Sequence, residues 1–217
     1  MEVNVSETLR YLGYRGKAAE NSVLDCIHSC AQELMQEAAP RQIVRRIALA
    51  WESDGSLSLG GISVHSRDLS AHLSGCREAY LFAATLGARV DICLERCARI
   101  SMTRAVVMQA CAASLIESWC DECEIPLSAE AAKDGLFLRP RYSPGYGDFP
   151  IEHQQELLAV LDCARRINLT MTEGYMLAPT KSVTAVIGLT SDKTSCHIRR
   201  CMNCTAKNCP FRKEDAQ

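Results

Sequence analysis

Residues 141–150 have the composition of a stiff loop that could bind a small ligand. Pro144 and Gly145 suit the two central positions of a type II turn, where glycine supplies the positive φ. Arg141 carries a planar fork of hydrogen-bond donors that matches a carboxylate. Flat apolar surface, on which an adenine or a sulfonium cation could rest, comes from three aromatic residues, Tyr142, Tyr146 and Phe149. Composition alone also allows a structural turn whose rings cover the edge of the core.

A second group of residues suited to chemistry lies in the polar C-terminal tail. Its four cysteines follow the spacing Cys196-x4-Cys201-x2-Cys204-x4-Cys209. Such turn-length spacing lets four thiolates converge on one centre, as zinc or an iron–sulfur cluster requires. We therefore predict a metal or cluster site in the tail, in which His197 could replace one cysteine. The spacing does not choose between zinc and an iron–sulfur cluster, and a flexible tail of free thiols is the alternative.

Nine further cysteines are spread over the rest of the chain: Cys26, Cys30, Cys76, Cys93, Cys97, Cys111, Cys120, Cys123 and Cys163. Some of them are three or four residues apart on predicted helices and could chelate a metal. A reduced cysteine, however, packs like a small hydrophobic residue, and cytosolic thiols are kept reduced. We therefore expect these nine side chains to pack in the core.

Apolar runs predict the strands that must support the loop. They lie at residues 43–50, 57–64, 78–86, 136–138 and 183–189. The run at residues 78–86 is nearly continuous, which is typical of a strand buried on both faces. The whole pattern predicts a mixed or antiparallel twisted sheet.

Helical spacing of apolar residues fills the intervals between the strands. Residues 90–123 should form two long helices hinged near Ile100, and Pro126 should end the second. Another helix is expected at residues 151–166. The predicted fold class is therefore α+β, with a long central pair of helices packed on the sheet.

Composition and charge exclude several classes of function. The formal net charge is −2 and no long run of Lys or Arg occurs, so a nucleic-acid partner is not expected. No apolar stretch reaches the roughly 18 residues of a membrane-spanning helix, and the N-terminus does not resemble a secretion signal. We expect a cytoplasmic protein without a membrane partner. A change to polar composition at Ser191 divides the chain into a main domain, residues 1–190, and the Cys-rich tail, residues 191–217.

Two blocks of sequence resemble the activation domain of cobalamin-dependent methionine synthase. The Arg-x-x-Pro-Gly-Tyr motif of residues 141–146, with Pro150 after three more residues, resembles the S-adenosylmethionine-binding loop of that family. Residues 169–184 resemble the family's Leu-Thr-Glu-Ser segment, which leads through a proline to Ser-Val-Ser and a strand. The blocks keep their order and are separated by a helix of suitable length. The resemblance extends over residues 136–189.

The resemblance implies roles for particular residues. Arg141 would bind the carboxylate of S-adenosylmethionine. The rest of the pocket would be lined by backbone groups of Tyr142, Ser143, Pro144, Gly145 and Tyr146. Family members also use acidic contacts and a covering tyrosine, for which Glu173 and Tyr175 are candidates here, with Tyr146 as a second candidate cover. Glu117 is another acidic candidate, although its helical position favours a solvent-facing side chain.

The function that the resemblance implies is reductive reactivation of a corrinoid enzyme. In that chemistry, S-adenosylmethionine supplies a methyl group to cobalamin, and a flavodoxin or ferredoxin supplies one electron. No Asp-x-His-x-x-Gly cobalamin motif occurs in the chain, so cobalamin is expected on a partner protein. That partner would be a methionine synthase lacking its own activation domain, or a related corrinoid methyltransferase.

Two other classes of function stay open on the residues alone. The chain could be an electron-transfer or metal-sensing protein whose active centre is the Cys-rich tail. It could also be an ordinary S-adenosylmethionine methyltransferase, but the Gly-rich strand–loop–helix signature of such enzymes is missing. No Gly-x-Ser-x-Gly or His-Glu-x-x-His motif is present either, and no catalytic residue is predicted.

Overall fold

The computed structural model describes residues 1–14 and 18–192 of the chain. Within these residues the helices are α1 (Val5–Tyr11), α2 (Asn21–Glu37), α3 (Arg67–His72), α4 (Ala88–Ile100), α5 (Met102–Lys133), α6 (His153–Val160) and α7 (Cys163–Ile167). The strands are β1 (Arg41–Trp51), β2 (Leu57–Leu59), β3 (Ile62–Val64), β4 (Glu78–Thr85), β5 (Phe137–Leu138), β6 (Thr170–Met171), β7 (Leu177–Ala178) and β8 (Ser182–Thr190). The predicted α+β class is confirmed. The four longest predicted strand segments correspond to β1, the β2–β3 hairpin, β4 and β8.

A six-stranded sheet in the order β3-β2-β1-β4-β8-β5 forms the centre of the molecule, and its neighbours all pair antiparallel. β4 is buried along almost its whole length, as its continuous apolar run predicted, because helices cover both faces of the sheet. Its pairing with β8 runs from Glu78 opposite Leu189 to Thr85 opposite Ser182. This long register places β8 next to β4, and the other edge of β8 pairs with β5.

Each face of the sheet carries its own hydrophobic core. One core joins β4 and β8 to α2, α4 and α5, and α1 packs along its outer side. The other core joins the opposite face to α3, α6 and α7 and to the β2–β3 hairpin. The predicted long helix pair is α4 and α5, and the chain turns between them at Ser101, whose side chain caps α5.

The prediction that Pro126 ends the central helix is wrong, because α5 continues to Lys133. A proline inside a helix removes one backbone hydrogen bond and tends to break the helix. Here Leu127, the next residue, and Ala131, one helical turn after it, are buried in the core. Pro126 itself is exposed. Burial of the apolar face therefore holds the helix together past the proline.

Two further departures lie after the loop. The single helix predicted at residues 151–166 is interrupted at Asp162, which has a left-handed φ of 52°, and so becomes α6 and α7. The β6–β7 hairpin was not predicted, because each of its strands has only two residues. No helix in the described part of the chain is long and apolar enough to cross a membrane.

Candidate functional site

The loop that contains Arg141 (residues 139–150, the Arg141 loop) lies along the outer edge of β8. Tyr142 and Val186 exchange two backbone hydrogen bonds of 2.9 and 2.8 Å, and the Arg139 N–H donates to the Gly188 carbonyl at 2.8 Å. Between these contacts the loop advances by three residues while β8 advances by two, so the loop bulges at Arg141. Bulges of this kind re-aim a side chain and often lie beside functional sites.

Arg141 points to the face of the sheet that carries α5. Its guanidinium donates to Glu117 at 3.0 Å, to Asp121 at 2.8 Å, and to Glu124. These three acids are spaced i, i+4 and i+7, which places them on one side of the helix. The structure therefore gives Arg141 three carboxylate partners within the protein.

The electrostatics of this cluster are unbalanced. Three carboxylates surround one guanidinium, so the ionised cluster carries an excess of two negative charges. Burial raises the pKa of the Glu124 carboxyl, and the charge of Arg141 opposes that rise. Burial alone would lower the pKa of Arg141, but the nearby carboxylates, Glu124 first, raise it above its ordinary value. A ligand with positive charge would meet favourable electrostatics here.

The turn predicted at Pro144-Gly145 is present. The Tyr146 N–H donates to the Ser143 carbonyl at 3.2 Å, and Gly145 has a φ of 89°. A second pair of backbone bonds closes the loop, from Gly145 to Phe149 and from Phe149 to Tyr146. The backbone of residues 143–149 is therefore held in a defined shape.

The expectation that three aromatic rings offer surface to a ligand needs correction. Tyr142 and Phe149 are buried in the second core, on the face of the sheet opposite α5, and their ring centroids lie 6.3 Å apart. The backbone groups of Tyr142 are also used, because they pair with Val186. Only Tyr146, with 55% of its surface exposed, keeps a ring at the protein surface. Tyr142 thus anchors the loop, since alternation along an extended chain sends it inward when Arg141 points the other way.

Glu173 and Tyr175 lie in the turn of the β6–β7 hairpin. Glu173 is exposed, and Tyr175 is half-buried with a left-handed φ of 60°. The Gln154 side chain ties this turn to the sheet, because its amide donates to the Tyr175 carbonyl at 2.8 Å and accepts from the Thr184 hydroxyl at 3.3 Å. The hairpin turn is therefore linked to β8 two residues away from Val186, where the Arg141 loop is anchored.

A stretch of the β8 edge without a partner strand in the described chain separates the two anchor points. Backbone groups alternate in direction along a strand, so those of Thr184 face the same edge as those of Val186. In the described chain no strand pairs with β8 beside Thr184. Thr184 itself is buried, and this part of β8 lies between the Arg141 loop and the hairpin turn.

The nine cysteines of the described residues can be compared with the prediction that they pack in the core. All nine in the described residues are free thiols, eight are buried, and Cys26 is half-buried, which confirms core packing. No group of three potential metal ligands occurs among residues 1–14 and 18–192. The predicted metal ligands Cys196, Cys201, Cys204 and Cys209 lie outside the described residues.

Comparison with known proteins supports the fold and goes no further. No protein-family model matches the chain, and no curated protein matches it. Among solved structures, a crystal structure of the MetH reactivation domain bound to AdoHcy superposes with a TM-score of 0.61 at 14% sequence identity, covering 88% of this chain and 78% of that one. The chain therefore has the fold of a MetH reactivation domain, as the two sequence blocks predicted.

Asp121 and Glu124 contact Arg141 but were not predicted from the sequence, whereas Glu117 was a candidate acidic contact whose helical position favoured a solvent-facing side chain. Their signal was available, because three acids at i, i+4 and i+7 form a charged stripe on one side of the helix. What the sequence lacked was the knowledge that the Arg141 loop lies opposite this stripe.

Proposed function

We propose that the chain binds S-adenosylmethionine at the Arg141 loop and acts as a reactivation partner of a cobalamin-dependent methionine synthase or a related corrinoid methyltransferase. The observation that carries the proposal is the bulge at Arg141, which places a guanidinium beside the β8 edge in a fold shared with the AdoHcy-bound MetH reactivation domain. The corrinoid would reside on the partner. It would receive the methyl group of S-adenosylmethionine together with one electron from a flavodoxin- or ferredoxin-type donor.

The amino-acid end of S-adenosylmethionine fits the charge pattern around Arg141. This end is a zwitterion, with a carboxylate and an ammonium on the same carbon. We infer that the ligand carboxylate takes the guanidinium of Arg141 while the ammonium takes Glu117 and Asp121, which are the two more exposed acids of the cluster. Each protein charge then exchanges one ionic partner for another, and none is left unpaired.

The remaining contacts would come from the backbone and from two exposed side chains. In this proposal, backbone groups of Ser143 to Tyr146 and the β8 edge at Thr184 hydrogen-bond the ligand. The Tyr146 ring and the hairpin turn with Glu173 and Tyr175 would flank it. The excess negative charge of the cluster favours the cationic sulfonium. The protein's contribution is thus position and electrostatics, and the reactive groups belong to the ligand and the partner's corrinoid.

Calorimetric titration of the purified protein with S-adenosylmethionine tests this proposal. Arg141→Ala should weaken binding by about 2 kcal/mol, roughly 30-fold in Kd, because a charge-assisted pair is lost. Arg141→Lys, which keeps the charge but loses the planar fork, should give an intermediate loss. Arg99→Ala removes an exposed arginine of α4 and serves as the charge-matched control.

Two results would contradict the proposal. If the wild-type protein shows no saturable binding at millimolar S-adenosylmethionine, binding of this ligand is not part of its function. Equal affinity of wild type and Arg141→Ala would remove Arg141 from the site.

We also propose that the Cys-rich tail binds zinc or an iron–sulfur cluster through Cys196, Cys201, Cys204 and Cys209. Their turn-length spacing supports this proposal. If the centre is a cluster, the tail could itself carry electrons, and an electron-transfer or metal-sensing role becomes the second candidate function.

Metal analysis of protein purified without oxygen decides the chemistry of the tail. Iron with acid-labile sulfide indicates a cluster, and zinc at one per chain indicates a closed structural site. A Cys201→Ser/Cys204→Ser variant should lose the metal, whereas Cys163→Ser, which removes a buried core thiol, should keep it. Metal-free wild-type protein with four tail thiols that react at once would contradict the proposal.

A further inference from the structure

Asp148 connects the Arg141 loop to α3 in a way that the resemblance to other proteins did not predict. Its carboxylate accepts the Ser66 hydroxyl, the Arg67 N–H at 2.9 Å and the Asp68 N–H at 3.1 Å. The Ser66 oxygen in turn accepts the Leu69 N–H at 3.0 Å. Ser66 and Asp148 thus share the capping of the first turn of α3.

The connection is reciprocal, because α3 also holds the loop. The Asp148 N–H donates to the Asp68 carboxylate at 3.2 Å. Gly147 makes this approach feasible: it has a φ of 55°, and a Cβ there would collide with the Asp68 carboxylate and come within 2.6 Å of the Tyr142 hydroxyl oxygen. A side chain at this position would push apart the groups that form the link.

The link completes the anchoring of the loop. Tyr142 fixes the first end on β8, and Phe149 fixes the second end in the core. Between them Gly145 and Tyr146 are exposed, and the α3 link holds the loop at Asp148, directly after this turn. The α3 link therefore contributes to the orientation of the exposed turn.

We propose that Asp148 is a positioning residue for the ligand site: by capping α3 it holds the turn at Gly145 and Tyr146 where their backbone groups can meet S-adenosylmethionine. This inference rests on the proposed function and adds to it a residue that does not touch the ligand. A loop ordered in advance loses less conformational entropy on binding, so affinity depends on the link.

The experiment compares wild type with Asp148→Ala, Asp148→Asn and Asp54→Ala by titration with S-adenosylmethionine and by amide hydrogen exchange. Asp54 is the control, since it is an exposed aspartate that accepts the Ser56 N–H at 2.9 Å within the β1–β2 turn. Asp148→Ala should raise Kd about 5- to 10-fold and speed exchange at Gly145, Tyr146 and Phe149. Asp148→Asn keeps one acceptor oxygen and should recover part of both effects. Asp54→Ala should change neither.

The two readouts separate the possible failures. If wild type binds and Asp148→Ala binds within twofold of it, the positioning role is overturned while the proposed function stands. If wild type does not bind, the proposed function fails, and the amide exchange rates still test whether the Asp148–α3 link orders the loop. Unchanged loop exchange in Asp148→Ala overturns the inference in either case.

Discussion

Removing the guanidinium of Arg141 should destabilise the ligand-free protein. In the structure, the Arg141 side chain is 18% exposed and holds three carboxylates, of which Glu124 is 25% exposed and Asp121 is 71% exposed. Exposed ion pairs contribute about 0–1 kcal/mol each. Truncating one partner of a fully buried pair costs about 3–5 kcal/mol, and the partial exposure here reduces that figure. We therefore expect Arg141→Ala to lower the free energy of unfolding by about 2–3 kcal/mol.

Urea denaturation measures this change in the free energy of unfolding. A double-mutant cycle shows how much of it comes from the Arg141–Glu124 pair. In a chain of this length about 2–3 kcal/mol corresponds to a fall in Tm of roughly 4–12 °C. Glu124 is the acid of the cluster whose charged form is disfavoured by burial, so it depends most on its partner Arg141. Glu124→Gln should therefore restore about 1 kcal/mol in the Arg141→Ala background and restore nothing in wild type.

Two results would refute the reasoning. If Arg141→Ala unfolds within about 0.5 kcal/mol of wild type, as the exposed control Arg99→Ala should, α5 does not hold the guanidinium in the ligand-free protein. If Glu124→Gln has the same effect in both backgrounds, the two side chains are not coupled.

Three further outcomes are expected. Gly188→Ala should destabilise the protein by about 1–3 kcal/mol in urea denaturation, because its Cβ would lie 2.7 Å from a Leu73 methyl. Gly174→Ala should not, because a Cβ there would meet only the Thr172 hydroxyl, at 4.0 Å. Pro126→Ala should raise the free energy of unfolding by about 1–2 kcal/mol, since it restores a backbone hydrogen bond inside α5; an unchanged midpoint would show that the helix is already relaxed there. Because burial raises the pKa of the Glu124 carboxyl, the folded protein binds this proton more tightly than the unfolded chain does. The stability that the bound proton contributes is therefore lost as pH rises through the folded-state pKa. Urea denaturation across pH should show this loss in wild type and not in Glu124→Gln.

The strands of the central sheet were predictable because burial dictates their composition. Residues 78–86 are almost all apolar, and a strand covered by helices on both faces needs that composition. The Pro126 error has the opposite origin, since a local rule about one residue was outweighed by the packing of Leu127 and Ala131. Local propensity decides an element only where tertiary contacts do not.

The candidate site was predictable only in its local part. The Pro144-Gly145 turn and Arg141 follow from residues adjacent in sequence. The partners of Arg141 lie 17 to 24 residues earlier in the chain, and the Ser66–Asp148 link spans 82 positions. Contacts at such separation depend on the sheet register, which one sequence does not specify. The tail cysteines stay a prediction from spacing.

The charge arrangement around Arg141 also determines how a ligand can bind there. A simple carboxylate would approach a cluster that already carries excess negative charge, and it would have to displace an acid from Arg141. A zwitterion brings its own cation, so Glu117 and Asp121 can turn to the ligand ammonium as the ligand carboxylate takes their place. Binding then replaces one set of ionic contacts by another, and the net gain per contact is small. In the proposed mode of binding, selectivity for an amino-acid head group would thus come from the acids of α5 as much as from the arginine of the loop.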